Sequence, residues 1–268
     1  MAVTNGPQIA ISQIHAEVGG TGQASLNDAD ILGMIGKGAG AQVAMSEWYG
    51  ARAPASYGGT STGVLQGRDD GGVKSYSLSS LGAQQGDLVI VATCQDGPGS
   101  LTPYQMSGWT ALVPNGPNVT FTQDIYWKVM GSSPESQFRC TLGPYYFDVP
   151  VVATCIRNIG TLTASAWTGR SGAISIDPVS RSVANAGSVG IVVLCRDDNA
   201  AGTTTQSGPN GYTKAGNKYT SNAGIGYNWE QSVDVFYKMN LPAGTHDPST
   251  ISWSQGYDNC TATTAIFY

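Results

Sequence analysis

Charge is scarce in this sequence. Lys and Arg total 13 and Asp and Glu 18 among 268 residues, so only 12% of the chain is ionic. The net charge of -5 and the sequence pI of 4.8 leave no clustered basic face, which a nucleic-acid footprint requires. Apolar runs are short, and none reaches the roughly 18 to 20 residues that cross a bilayer as a helix, so membrane insertion is not expected. The first residues, MAVTNGPQIA, have neither a basic region nor an apolar region of the secretory type. A soluble product of cytoplasmic synthesis is the expectation. Histidine is nearly absent, with His15 and His246 alone. No GxSxG elbow, HExxH or phosphate-binding loop occurs.

Cysteine is present in an odd number, Cys94, Cys140, Cys155, Cys195 and Cys260, without a CxxC pair. Four of the five sit in or beside apolar runs (VIVATC, FRCTL, VVATC, IVVLC), the setting of buried thiols that act as small hydrophobes. The count leaves room for one disulfide, while a zinc site lacks histidine partners. No cofactor or metal is expected.

Glycine, by contrast, is abundant at 36 residues. From Tyr76 onward the chain reads as strands of five to eight residues between Gly, Pro and Asn turns. YSLSSL, DLVIVATC, QDIYWKVM, QFRCTL, VPVVATCI, AISID, VGIVVLC, SVDVFYKM, TISWS and TTAIFY are the clear cases. DLVIVATC and VGIVVLC are apolar throughout, as central strands covered on both faces are. Roughly a hundred residues separate two copies of one pattern. Gly86 to Cys94 matches Gly187 to Cys195, Gly108-Trp109-Thr110 matches Gly211-Tyr212-Thr213, and Asp124 to Lys128 matches Asp234 to Lys238. Val152 to Ile156 likewise matches Ala262 to Ile266. The expected fold is an all-β, jelly-roll-like antiparallel β-sandwich built from two pseudo-repeated halves, about 76–160 and 161–268. The halves build one shared sandwich or two small ones, and one is favoured because half the strands alone leave edges to cover. Residues 52–75, rich in Gly, Ser and Thr, read as a linker, and the Asp69-Asp70 pair in RDDGG as a solvated turn rather than a Ca²⁺ site.

Residues 1–51 are different. Ser12, Ser25 and Ser46 each precede a short helical run, where a serine hydroxyl caps the first turn. Gly19-Gly20, Gly33, Gly36, Gly38 and Gly40 then end the pieces. The prediction is a small module of short helices, strands and Gly turns with too much apolar surface for its size. The segments ISQIHAEVGG, SLNDADI-x-GMIGKG-x-GA and MSEWYGA, spanning roughly residues 9 to 51, resemble the N-terminal signature of virion structural proteins from tailed phages. The likeness is to tail-fibre-like and appendage proteins of marine and cyanobacterial phages. It implies a chain located in the virion, anchored by residues 1–51 to other tail, baseplate or capsid proteins. The docking residues would be Ile11, Ile14, His15, Leu26, Ile31, Met34, Ile35, Trp48 and Tyr49.

Chemistry is harder to find than binding. His246 is the one candidate base outside the module, and a Ser-His-Asp triad needs three converging groups. The acids Asp96, Asp124, Asp148, Asp197, Asp198, Asp234, Glu135 and Glu230 could supply a glycosidase only if two stood about 5 to 9.5 Å apart across a groove. Asp124 and Asp234 occupy equivalent repeat positions, which suits a structural role, and the chain is expected not to be an enzyme. Loop aromatics flanked by Asn, Gln and Ser suit a saccharide face, with rings for stacking and amides for orientation. Tyr104, Tyr145, Tyr146, Tyr219, Tyr227 and Trp229 are the candidates, with Tyr257 beside them, and residues 216–229 are the preferred external loop. The expected function is a virion appendage that binds host-surface polysaccharide, assembled as a homotrimer. The alternatives are a capsid decoration, cement or head-fibre protein and, last, a glycan-cleaving enzyme.

Overall fold

The computed structural model describes residues 32, 37–38, 54–66, 72–96, 101–112, 121–141, 148–198, 206–221 and 230–268. The chain divides into two compact units, Met1–Ser56 and Tyr57–Tyr268. Of the first unit only Leu32, Lys37 and Gly38 are described, with Pro54, Ala55 and Ser56 at its end. Leu32 is helical and buried, and its carbonyl accepts the Lys37 N–H at 3.1 Å, the long closing bond typical of a helix C-terminus. The docking residues Ile11, Ile14, His15, Leu26, Ile31, Met34, Ile35, Trp48 and Tyr49 lie outside the described residues.

The second unit is all β. In chain order its strands are β1 (Ser56–Leu65), β2 (Val73–Ser77), β3 (Leu88–Asp96), β4 (Thr102–Pro103), β5 (Thr110–Ala111), β6 (Phe121–Val129), β7 (Gln137–Thr141) and β8 (Val149–Arg157). There follow β9 (Leu162–Ile176), β10 (Arg181–Val183), β11 (Ser188–Asp198), β12 (Gln206–Ser207), β13 (Thr213–Ser221), β14 (Glu230–Leu241), β15 (Gly244–His246) and β16 (Ile251–Phe267). The first eight form a large sheet in the order β1-β8-β3-β6-β5 and a small sheet β2-β7-β4. The second eight repeat the arrangement with one difference: β9, β16, β11, β14 and β13 form the large sheet and β10-β15 the small one, while β12, unlike its counterpart β4, pairs with β16. First strand beside eighth, eighth beside third, third beside sixth is jelly-roll connectivity, made here twice. The repeat seen in sequence is therefore a repeat of topology, and β3, β6 and β8 correspond to β11, β14 and β16.

Each half has a core of its own, and the two large sheets also pack on each other. On β3, Val89 and Val91 enter the first core with Tyr76, Leu101, Phe138 and Val151. Strand alternation sends Leu88, Ile90, Ala92 and Cys94 to the opposite face. All four are fully buried, because that face lies against the second half. On β11, Val192 and Leu194 enter the second core with Phe236, Ile251 and Ala262, while Ile191, Val193 and Cys195 turn toward the first half. The unbroken apolar runs of β3 and β11 follow from this double burial. The all-β sandwich expectation holds, but the favoured single shared jelly roll gives way to the alternative. Each half closes a sandwich of its own, because eight strands per half suffice for a core, and the two large sheets then stack face to face.

One polar side chain inside that central interface is bonded across it several times. Gln123 on β6 donates to the Val193 carbonyl at 3.4 Å and to the Cys195 sulfur at 3.3 Å, and accepts the Thr263 hydroxyl at 2.6 Å. Aromatic pairs close the far end: Tyr57 stacks on Tyr237 with centroids 4.6 Å apart, and Trp127 meets Phe267 edge-on at 5.5 Å.

Three sequence readings need correction. Residues 52–75 are not a linker: β1 and the start of β2 lie there, and β1 is an edge strand of the first large sheet. Its glycines mark close packing, since a Cβ at Gly58 would sit 2.8 Å from Cys155 Sγ and one at Gly63 would sit 2.7 Å from the Tyr76 ring. The first repeat therefore opens at β1, not at Tyr76. TISWS and TTAIFY are ends of one strand, β16, whose register shifts between Ser252 and Tyr257. Finally, residues 216–221 of the preferred 216–229 loop belong to β13, and residues 222–229 lie outside the described residues.

Gly216 gauges how close the large sheets come. A Cβ there would lie 2.7 Å and 3.1 Å from the Thr60 and Thr62 methyls and 3.3 Å from Val152 Cγ1. Gly216→Ala is expected to lower the unfolding free energy in urea titration by about 1–3 kcal/mol through overpacking. Gly131→Ala, with nothing within 4 Å of the new methyl, should change it by less than about 0.5 kcal/mol.

Candidate functional site

The antiparallel ladders gather one set of strand ends. The end of β3 meets the start of β6 (Asp96 opposite Phe121), and the ends of β11 and β13 both meet the start of β14 (Asp198 and Ser221 opposite Glu230). Across the two halves, the Thr220 hydroxyl donates to the Asp148 carbonyl at 3.0 Å. Strand ends flanking residues 142–147 and 222–229 are thereby neighbours, though one segment comes from each half. Tyr145, Tyr146, Tyr227 and Trp229 lie in those two segments, outside the described residues. The Thr220–Asp148 bond joins described residues that flank the two segments.

The opposite end of the same unit is where the chain enters. Gly58 lies against Cys155 and Arg157 at the far end of β8, while Asp148 precedes its start. Tyr268 is at that far end too, where its carbonyl accepts the Thr161 N–H at 2.8 Å.

The other two aromatic candidates are less available than their sequence context suggests. Tyr104 is half-buried beside β7: its N–H donates to the Arg139 carbonyl at 2.9 Å, and the Arg139 guanidinium lies 5.6 Å from its ring centroid. Tyr219 is half-buried on β13 with an enclosed hydroxyl. Nothing is described of the Tyr257 side chain.

The acids divide into buried structural groups and groups at strand ends. Asp124 is buried in the first core, where its carboxylate accepts the Leu101 N–H at 2.7 Å and the Gln95 amide at 2.6 Å. Burial pushes its pKa up to about 7, against the downward pull of those two bonds. Tyr126 beside it rises to about 12, through burial first and the Asp124 charge second. Asp234, the repeat equivalent, has no exposed surface and instead accepts Arg196 at 3.0 Å and Lys214 at 3.2 Å. The partners correspond as well: Gln95 and Arg196 each follow the repeated cysteine of their strand. That signal was readable in the sequence, as Cys94-Gln95 against Cys195-Arg196, and it was missed. Asp197 and Glu230 are also buried, and Glu135 is ion-paired with Lys128. Side chains of Asp96 and Asp198 are not described.

His246 contacts a tyrosine rather than a serine. Its Nε2 lies 2.6 Å from the Tyr212 hydroxyl, and its pKa is lowered by burial and then by Lys238, with Asp247 acting the other way. Ser180 donates to Asp247 at 2.7 Å. Trp109 with Lys128 and Tyr212 with Lys238 are one device used twice, a lysine covering the turn at a positive-φ glycine, Gly108 or Gly211. All five thiols are buried and none is in a disulfide.

Asp124 makes stability depend on pH with a fixed sign. Its folded pKa stands above the unfolded value, so its contribution is fully present below about pH 4 and is lost as pH rises through about 7. Between those limits its slope approaches about 1.4 kcal/mol lost per pH unit. Asp124→Asn should flatten that part of the profile relative to wild type, measured as urea unfolding free energies from pH 4 to 8.

No protein-family model, no curated protein and no solved structure matches the chain, and the site rests on its own geometry.

Proposed function

We propose that this chain is a non-enzymatic virion protein of a tailed phage, held to the particle by its N-terminal unit and presenting the double jelly roll to host-surface polysaccharide. The observation that carries the reading is the polarity of the β unit. The chain enters at Ser56, at one end, while strand ends flanking the aromatic segments 142–147 and 222–229 adjoin at the other. In this reading the end away from Ser56 is the one free to meet a host surface, which is what an appendage requires. The division at Ser56 agrees with a separable anchor, and the phage-like signature lies wholly on the anchor's side of it. Jelly rolls recur in viral capsid and lectin domains, a fold-level analogy that favours binding without fixing a ligand. Burial of Asp124 and Asp234 favours structural duties for the two acids that the repeat singles out. The particle's other proteins are the permanent partners in this reading, and the oligomer is a trimer.

Two measurements test it. Deleting residues 1–50 should abolish incorporation into particles while the β unit keeps its far-ultraviolet spectrum and melting temperature. Replacing Tyr145, Tyr146, Tyr227 and Trp229 together by Ala should weaken binding of the isolated protein to host cells by about tenfold or more, with the same melting temperature. Undiminished cell binding would refute the recognition end. A protein that binds no cells but protects capsids against heat would instead be a decoration protein.

A further inference from the structure

We propose that Cys94 and Cys195 form a latent covalent staple between the two jelly rolls, closed by thiol–disulfide exchange with a small-molecule disulfide. The two residues hold equivalent positions in the repeat, near the ends of β3 and β11, and both point into the interface between the large sheets. Neither has any exposed surface. Each thiol reaches the other's strand: Cys94 donates to the Arg196 carbonyl at 3.5 Å, and Cys195 donates to the Thr93 carbonyl at 3.5 Å. Burial, and then the neighbouring Cys195, hold the Cys94 thiol well above its ordinary pKa.

The other three cysteines have no such opposite number. Cys140 and Cys155 belong to the first core, and the Cys155 thiol is turned to the Asp87 carboxylate at 3.6 Å. Cys260 belongs to the second core and donates to the Arg170 carbonyl at 3.6 Å. Among the cysteines, Cys94 and Cys195 are the two whose thiols bond to the other half. Gln123 adds a polar contact from the first half, since its amide donates to the Cys195 sulfur at 3.3 Å.

The exchange is balanced by the small disulfide alone. One protein thiolate attacks a sulfur of that disulfide, forming a mixed disulfide and releasing one small thiol. The second protein thiolate attacks the mixed disulfide at the protein sulfur and releases the other. Two protein thiols are oxidised, one small disulfide is reduced to two thiols, and the two protein protons leave on them. Because both sulfurs are sealed in the folded interface, the exchange belongs to the interval before the halves close. The bond would then restrict separation of the halves in the unfolded chain, where a long loop has most entropy to lose.

The test is oxidative refolding of the full chain. Reduced, denatured protein is refolded in mixed reduced and oxidised glutathione, quenched with acid, alkylated and mapped as peptides without reduction; a parallel sample is refolded fully reduced. The expected result is a Cys94–Cys195 peptide as the dominant disulfide, a thiol count lower by two than the five of the reduced chain, and a higher urea midpoint for the oxidised form. Cys195→Ser should remove the linked peptide and leave Cys140, Cys155 and Cys260 reduced. Cys140→Ser, which alters a core thiol outside the interface, should keep it. Natively folded protein that retains five thiols, or disulfides scattered among the five positions, would overturn the proposal.

Discussion

Burial between the two large sheets is the constraint on which the rest of the molecule depends. A jelly roll of about a hundred residues fills its own core but leaves the back of its larger sheet bare. Here Leu88, Ile90 and Ala92 on one side and Ile191 and Val193 on the other would all face water in isolated halves. Stacking the sheets hides both faces at once. Close approach is set by small side chains and by Gly216, and Gln123, trapped inside, finds three partners on the opposite sheet. A buried group left unsatisfied costs about 1–3 kcal/mol, so these crossing hydrogen bonds offset most of the cost of burying the Gln123 amide.

The two copies keep one backbone and divide its electrostatics differently. Beneath the shared strand order, the first half neutralises its buried carboxyl through amides, Gln95 and the Leu101 N–H, whereas the second surrounds the equivalent carboxylate with Arg196 and Lys214. A comparable split separates the two lysine-covered turns: Lys128 is tied to Glu135, while Lys238 stands over Tyr212 near His246. Replacing an amide by a guanidinium adds a charge that must be matched, and Asp234 matches it within the same core. Such changes are feasible because each core is closed off from the other by its own large sheet.

Much of the fold was legible in the sequence because double burial leaves a strong mark. VIVATC and IVVLC are apolar on both faces, and the same turn-and-strand order returns in the second half. What escaped detection has physical reasons. In β1, SYGGTSTGVL carries glycines that accommodate Cys155 and Tyr76, and close packing of this kind has the same composition as a flexible linker. Residues 216–221 are polar because β13 is a sheet edge, and polarity there imitates a loop. Of the candidate site, sequence marked the aromatics but not the strand ends that flank them, since Asp148 and Thr220 meet only when two halves stack. The surroundings of Tyr104 and Tyr219 were not legible either, because flanking Asn, Gln and Ser say nothing about a neighbouring guanidinium or an enclosing strand.

The Thr220–Asp148 bond has a consequence for how such a surface would read a polymer. It ties a strand end of one half to a strand end of the other, so these two ends share one frame rather than a tether. If each half carried a binding loop set there, as the proposed function asks, engagement of one would leave the other at a high effective concentration for the next repeat of the same ligand, provided that the repeat length matched the spacing. Such a frame would discriminate by periodicity. It would favour a polysaccharide over its own repeating unit by far more than either loop set could achieve singly, and chain length would become part of the recognised signal.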